Sequence, residues 1–130
     1  MTTTNGLRHA RVWYVFGAVL TLLVVIGSLL PARDLPSLFL SDKLQHLLAY
    51  LALTLWFGGL MAPRRYLPLT LGLLALGGGI EIVQGLMGLG READWRDFLA
   101  DALGIGLGLS LCMAGLRHWA AWLEQWSRTR

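Results

Sequence analysis

Charge is scarce in this chain. Lysine, arginine, aspartate and glutamate together make up 15% of its 130 residues, against about a quarter in a soluble globular domain. Hydrophobic residues make up 55%, and mean hydropathy is +0.57. A soluble protein this small cannot hide so much apolar surface in one core, whereas a bilayer accepts it on the outside. Cysteine is nearly missing. Cys112 stands alone in an apolar run, which excludes an intramolecular disulfide and makes it a packing thiol. There is no basic stripe of the kind that tracks nucleic acid, and no low-complexity segment, internal repeat or separate soluble domain. A signal peptide is not expected either. Arg8 and Arg11 precede a run from Val12 to Leu30 that is long enough to span, and Leu30-Pro31-Ala32 is not a small-residue cleavage site.

Long apolar runs, by contrast, fill the chain. About 20 apolar residues cross the hydrocarbon as a helix. Four such runs stand at Val12–Leu30, Leu44–Ala62, Leu67–Met87 and Phe98–Leu116, with Pro31 and Pro36 in the first connection and Pro63-Arg64-Arg65 in the second. The expected fold is an all-α integral membrane protein. Four transmembrane helices form a compact bundle over residues 12–116, between a tail at 1–11 and an amphipathic interfacial helix at 117–130. In that last segment Trp119, Trp122, Leu123 and Trp126 recur at helical spacing, a pattern suited to lying along a membrane surface or to docking a partner.

Lysine and arginine in short loops orient such a bundle. One side holds Arg8, Arg11, Arg64, Arg65, Arg117, Arg128 and Arg130; the other holds Arg33, Lys43, Arg91 and Arg96, seven against four. Both termini are therefore expected in the cytoplasm. The outer side takes most of the acids: Asp34, Asp42, Glu92, Asp94 and Asp97.

Polar residues within the runs converge on that outer side. Ser41 or Asp42 can cap the second helix, and Asp42, His46 and Tyr50 fall on one of its faces. Glu81 and Gln84 share a face of the third helix with Gly77 and Gly88, with Glu81 roughly 10 Å below the helix end. Asp97, Asp101, Gly104 and Gly108 form a stripe on the fourth, where glycine admits a neighbouring backbone. A lone carboxylate at membrane depth costs a few kcal/mol, so Glu81 and Asp101 need partners or a proton; His46, Lys43 or Arg91 can serve Glu81. Taken singly, these groups have blander readings: caps for Asp42 and Asp97, a hydrogen-bonded helix residue for His46, packing for Tyr50 and the glycines, solvated charges for Arg91 and Arg96.

Taken in order, the residues resemble a family. Asp42-Lys43-x-x-His46-x-x-x-Tyr50, then Glu81-Ile82-Val83-Gln84, then Arg91, Asp94 and Asp97-Phe98-Leu99-Ala100-Asp101-Ala102-Leu103-Gly104 with Gly108 resemble the successive elements of VanZ-like membrane proteins, across residues 40–110. The family often has asparagine where this chain has Asp101. The resemblance implies a multi-pass protein of the bacterial inner membrane. The family takes its name from a member linked to teicoplanin resistance, which does not by itself carry over to this chain.

Three functions suit these residues. The first is a site at the outer leaflet that binds or processes a lipid-linked, phosphate-bearing envelope component. His46 would act as base or nucleophile, oriented by Asp42 or Glu81. Lys43, Tyr50, Gln84 and Arg91 would bind the substrate, with phosphate on the cations. Asp94, Asp97 and Asp101 would hold Mg2+ or another divalent cation. The second is a non-catalytic scaffold, in which the polar cluster locks the helices and the surface receives a partner. The third is a small proton- or ion-coupled transporter, which four short spans would build as a homo-oligomer.

Overall fold

A computed structural model describes residues 6–31, 34 and 41–130; Arg33 and Pro36 of the first connection lie outside them. The described residues build helices α1 (Ala10–Leu29), α2 (Asp42–Leu60), α3 (Tyr66–Met87), α4 (Trp95–Met113) and α5 (Trp119–Arg128), with 3-10 turns at Pro63–Arg65 and Leu116–His118. Each expected run becomes one helix, and no end lies more than three residues from its expected place. Local chemistry fixes the ends. Ser41 accepts a hydrogen bond from Leu44 N–H at 3.3 Å and caps α2, so the cap is Ser41 and not Asp42. Asp94 caps α4 by accepting from Arg96 N–H at 2.9 Å. Gly88 closes α3 in the left-handed conformation, φ 63°, where side chains other than glycine are strained.

The number of membrane-length helices falls short of four. Among the described residues, α1 and the segment Pro63–Met87 are long and apolar enough to cross a membrane. A third span arises only if α4 is joined to Leu116–Arg128, from which it is bent by 80°. The physical cause lies in the polar ends. Asp42, Lys43, Gln45 and His46 take up the first turn and a half of α2, and Arg96, Asp97 and Asp101 the start of α4, leaving too little apolar length. Gly115, at φ 134°, then turns the chain after Met113, so the fourth helix stops short of the expected Leu116.

Helices α2 and α4 make the most extensive contact of the fold, and small residues allow it. A Cβ on Gly104 would collide with the carbonyl oxygen of Leu47, and one on Gly108 would stand 2.6 Å from Thr54 Cβ. One turn further on, the buried Cys112 thiol packs over Gly58, as a packing cysteine should. Helix α3 closes on this pair through Gly77, while α1 lies at the edge: Gly17 is its one buried residue, and Val15, Phe16, Val19, Leu22, Leu23 and Ile26 face outward.

The far end of the bundle is closed by aromatic rings and one carboxylate. Trp119 turns inward, donates to Leu55 O at 2.8 Å and stacks near Trp56 and Trp13, with ring centroids 4.9 and 5.4 Å away. Of the tail's expected surface residues, only Trp122, Leu123 and Trp126 are exposed. Glu124 accepts from Arg8 N–H at 2.8 Å, His9 N–H at 3.0 Å and the Trp13 indole at 2.8 Å. Burial pushes the Glu124 carboxyl up, but these donors and the nearby His9 outweigh it and hold the group below its ordinary 4.5. A depressed carboxyl stabilises the fold above its unfolded value and loses that contribution as pH falls through the folded one. Glu124→Ala should therefore cost about 2 kcal/mol at neutral pH. In thermal melts in detergent, the gap to wild type should shrink once pH drops well below 4.5; a gap independent of pH would contradict the clamp.

Candidate functional site

The opposite end gathers the start of α2, the C-terminal half of α3, the start of α4 and the α3–α4 connection. At its centre, His46 Nδ1 stands 2.8 Å from Asp101 Oδ1. Both side chains are buried, with 6% and 1% exposed. With the ring proton on Nδ1, the imidazole donates to Asp101, and Nε2 is left as an acceptor. That nitrogen faces Asp97 Oδ2 at 3.9 Å and Asp42 Oδ2 at 4.0 Å. Around this centre runs a ring of ion pairs. Lys43 donates to Asp94 at 3.1 Å and to Asp97 at 3.2 Å, and Arg91 donates to Asp42 at 3.1 Å. The Arg96 N–H and the Lys43 ammonium hold the Asp94 carboxyl below its usual range. Asp42, Gly90, Arg91, Glu92, Ala93, Asp94 and Asp97 line a cavity of about 420 Å3.

Glu81 enters from α3. Its Oε2 accepts from the backbone N–H of Asp94 at 3.0 Å, so the partner that a carboxylate at this depth requires is a loop amide rather than His46, Lys43 or Arg91. Its Oε1 is buried without a hydrogen-bond partner, as are Asp101 Oδ2 and the Tyr50 hydroxyl. Gly77 opens the space here: a Cβ on it would come within 2.7 Å of Asp101 Oδ2 and 3.3 Å of the Tyr50 oxygen.

The convergence expected from threading the polar residues is present for Asp42, Lys43, His46, Tyr50, Glu81, Arg91, Asp94, Asp97 and Asp101, although several pairings differ. Asp42 is half exposed and bound to Arg91, and Asp101 is the carboxylate that holds His46. Asp94, Asp97 and Asp101 do not assemble as a metal-ligand set. Asp94 caps α4 and binds Lys43, while Asp101 sits deeper. Among the described residues, the trios close enough to share a cation are Asp42–His46–Asp97 and His46–Glu81–Asp101. Gln84 leaves the cavity altogether: its amide donates to Ser28 O of α1 at 2.6 Å. This bond ties α3 to α1. Gly88, expected on the packing face with Glu81, has open space where a Cβ would stand.

Comparison with protein-family models, with curated proteins and with solved structures found no match. The reading of the site therefore rests on its chemistry. A histidine held at one nitrogen by a buried carboxylate, with its other nitrogen toward two carboxylates that line a cavity, can accept and return a proton. An arginine on the cavity wall can hold an oxyanion.

Proposed function

We propose that this chain is a VanZ-like protein of the bacterial inner membrane with four crossings, whose polar end faces outward and binds a lipid-linked phosphate. Helix α2 would stand at the centre, in contact with α1, α3 and α4, and a span clad by other helices needs less apolar length than a lipid-facing one. Helix α4 would turn Leu99, Leu103, Leu107 and Leu111 to the lipid. The excess of arginine at the Glu124 end supports cytoplasmic termini.

The observation that carries the binding reading is Arg91 on the wall of the 420 Å3 cavity, paired with the same Asp42 carboxylate that His46 Nε2 faces. A phosphate would take the place of Asp42 on the guanidinium. Four acids also line this cavity, namely Asp42, Glu92, Asp94 and Asp97, so the phosphate best suited to it arrives with a divalent counter-ion. Processing of that lipid would run through His46, with Asp101 keeping the ring oriented.

Detergent-purified protein should bind a polyprenyl phosphate at least about ten-fold more tightly than the matching alcohol, and Arg91→Ala should erase the preference without lowering the melting temperature. A charge-assisted contact of about 1.5–3 kcal/mol is worth that much. An undiminished preference in Arg91→Ala would overturn the reading. One observation favours a second reading, the polar lock. The cluster ties α2, α3, α4 and the α3–α4 connection, as a purely structural network would.

A further inference from the structure

We propose that His46, Glu81 and Asp101 bind one divalent transition cation, Mn2+ or Zn2+, inside the bundle. The three residues come from α2, α3 and α4, and one ligand atom from each lies within 4.8 Å of the others. In a tetrahedral site, metal–ligand bonds of about 2.0–2.2 Å set ligand atoms about 3.3–3.6 Å apart, so side-chain rotations that draw the widest pair in by about 1 Å close the trio on an ion. His46 Nδ1 and Asp101 Oδ1, at 2.8 Å, already lie within that span.

A second observation points to a ligand at this place. Glu81 Oε1 and Asp101 Oδ2 are buried acceptors without a donor, on side chains only 6% and 1% exposed. Native proteins rarely leave such atoms unpaired. The cations of the cluster are engaged elsewhere, Lys43 on Asp94 and Asp97 and Arg91 on Asp42. Among the described residues, these two buried carboxylates thus share one imidazole as their basic neighbour. The donor set selects the metal. Mg2+ demands near-octahedral oxygen ligation and keeps several waters, whereas imidazole with carboxylate suits Mn2+, Fe2+ and Zn2+. With the ion on Nδ1, the ring proton moves to Nε2, which then faces Asp42 and Asp97 as a donor and no longer as an acceptor.

This inference is independent of the lipid-phosphate reading and is tested without lipid. The full chain is purified in detergent and stripped with a chelator. It is then titrated with Mn2+, read by electron paramagnetic resonance, and with Zn2+, read by calorimetry. The expected result is about one ion per chain, no competition from equimolar Mg2+, and affinity reduced about 10–100-fold in Glu81→Gln and in Asp101→Asn. Arg91→Ala, which should lose phosphate preference, should bind metal as the wild type does. If either carboxylate variant fails to fold, a rise in the wild-type melting temperature with Mn2+ or Zn2+ but not Mg2+ serves as the readout. No stoichiometric uptake by the wild type, or wild-type affinity in both carboxylate variants, would overturn the proposal. Loss of metal in Arg91→Ala would also overturn it, by moving the ion to the cavity mouth.

Discussion

Gly104→Ala is expected to destabilise the protein by about 3 kcal/mol, at the upper end for overpacking, and to lower its melting temperature in detergent accordingly. The added methyl meets the Leu47 carbonyl oxygen, with the Leu51 nitrogen 3.0 Å away. Both are backbone atoms of α2, so no rotamer change relieves the contact. The helices must separate, and every close approach along the seam, at Gly108 over Thr54 and Cys112 over Gly58, loosens with them. Gly106 is the control. It lies on the same helix, and nothing stands within 4 Å of an added Cβ there. Gly106→Ala should be neutral or stabilise by about 0.5–1 kcal/mol through helix propensity. Equal melting temperatures for the two variants would show that α2 and α4 do not pack as described.

Asp101→Ala is expected to cost about 3–5 kcal/mol, the usual penalty for removing one partner of a buried pair. It strands His46 Nδ1 inside the bundle and leaves a void beside Gly77. Asp101→Asn should cost much less, because its amide oxygen still accepts from the imidazole. The pair of variants also separates the two readings of the polar end. Under the lock, folded yield alone should suffer, and Asp101→Asn should resemble wild type in every respect. Under a working site, Asp101→Asn should be folded yet impaired in ligand or metal binding. Melting curves and binding isotherms on the same preparations distinguish them.

Helix positions were legible in the sequence because hydropathy acts along the chain. A run such as Leu67–Met87 announces itself whatever surrounds it. The gathering of polar residues at one end followed from the alternation of helix direction. The pairings did not follow, because they depend on how α2 crosses α4. Four acids lay within reach of Lys43 and Arg91 in any rough threading, and the depth of Asp101 relative to His46 is set by the Gly104 contact. Spacing alone put Gln84 on the Glu81 face, yet its amide reaches α1. Nothing in the local sequence marks the Asp94 N–H as Glu81's partner, since a backbone amide carries no residue signature. The number of helices long and apolar enough to cross a membrane was overestimated for a related reason. Hydropathy at Leu44–Ala62 and Phe98–Leu116 is high, but the helices begin earlier, at Asp42 and Trp95, and their polar first turns are part of the same rods.

The Glu124 clamp has a consequence for the order of assembly. Its carboxylate and the amides it grips are 115 and 116 residues apart, nearly the full length of the chain. During synthesis α1 emerges long before α5 exists, so the Arg8 and His9 amides must remain with water until Glu124 arrives. Neither the aromatic cluster of Trp13, Trp56 and Trp119 nor the N-terminal turn can reach its final state before the last helix has been made. A chain arrested after Met113 should accordingly hold its α2–α4 seam but leave its N-terminal segment open to protease, while release of the last helix should close both in one step.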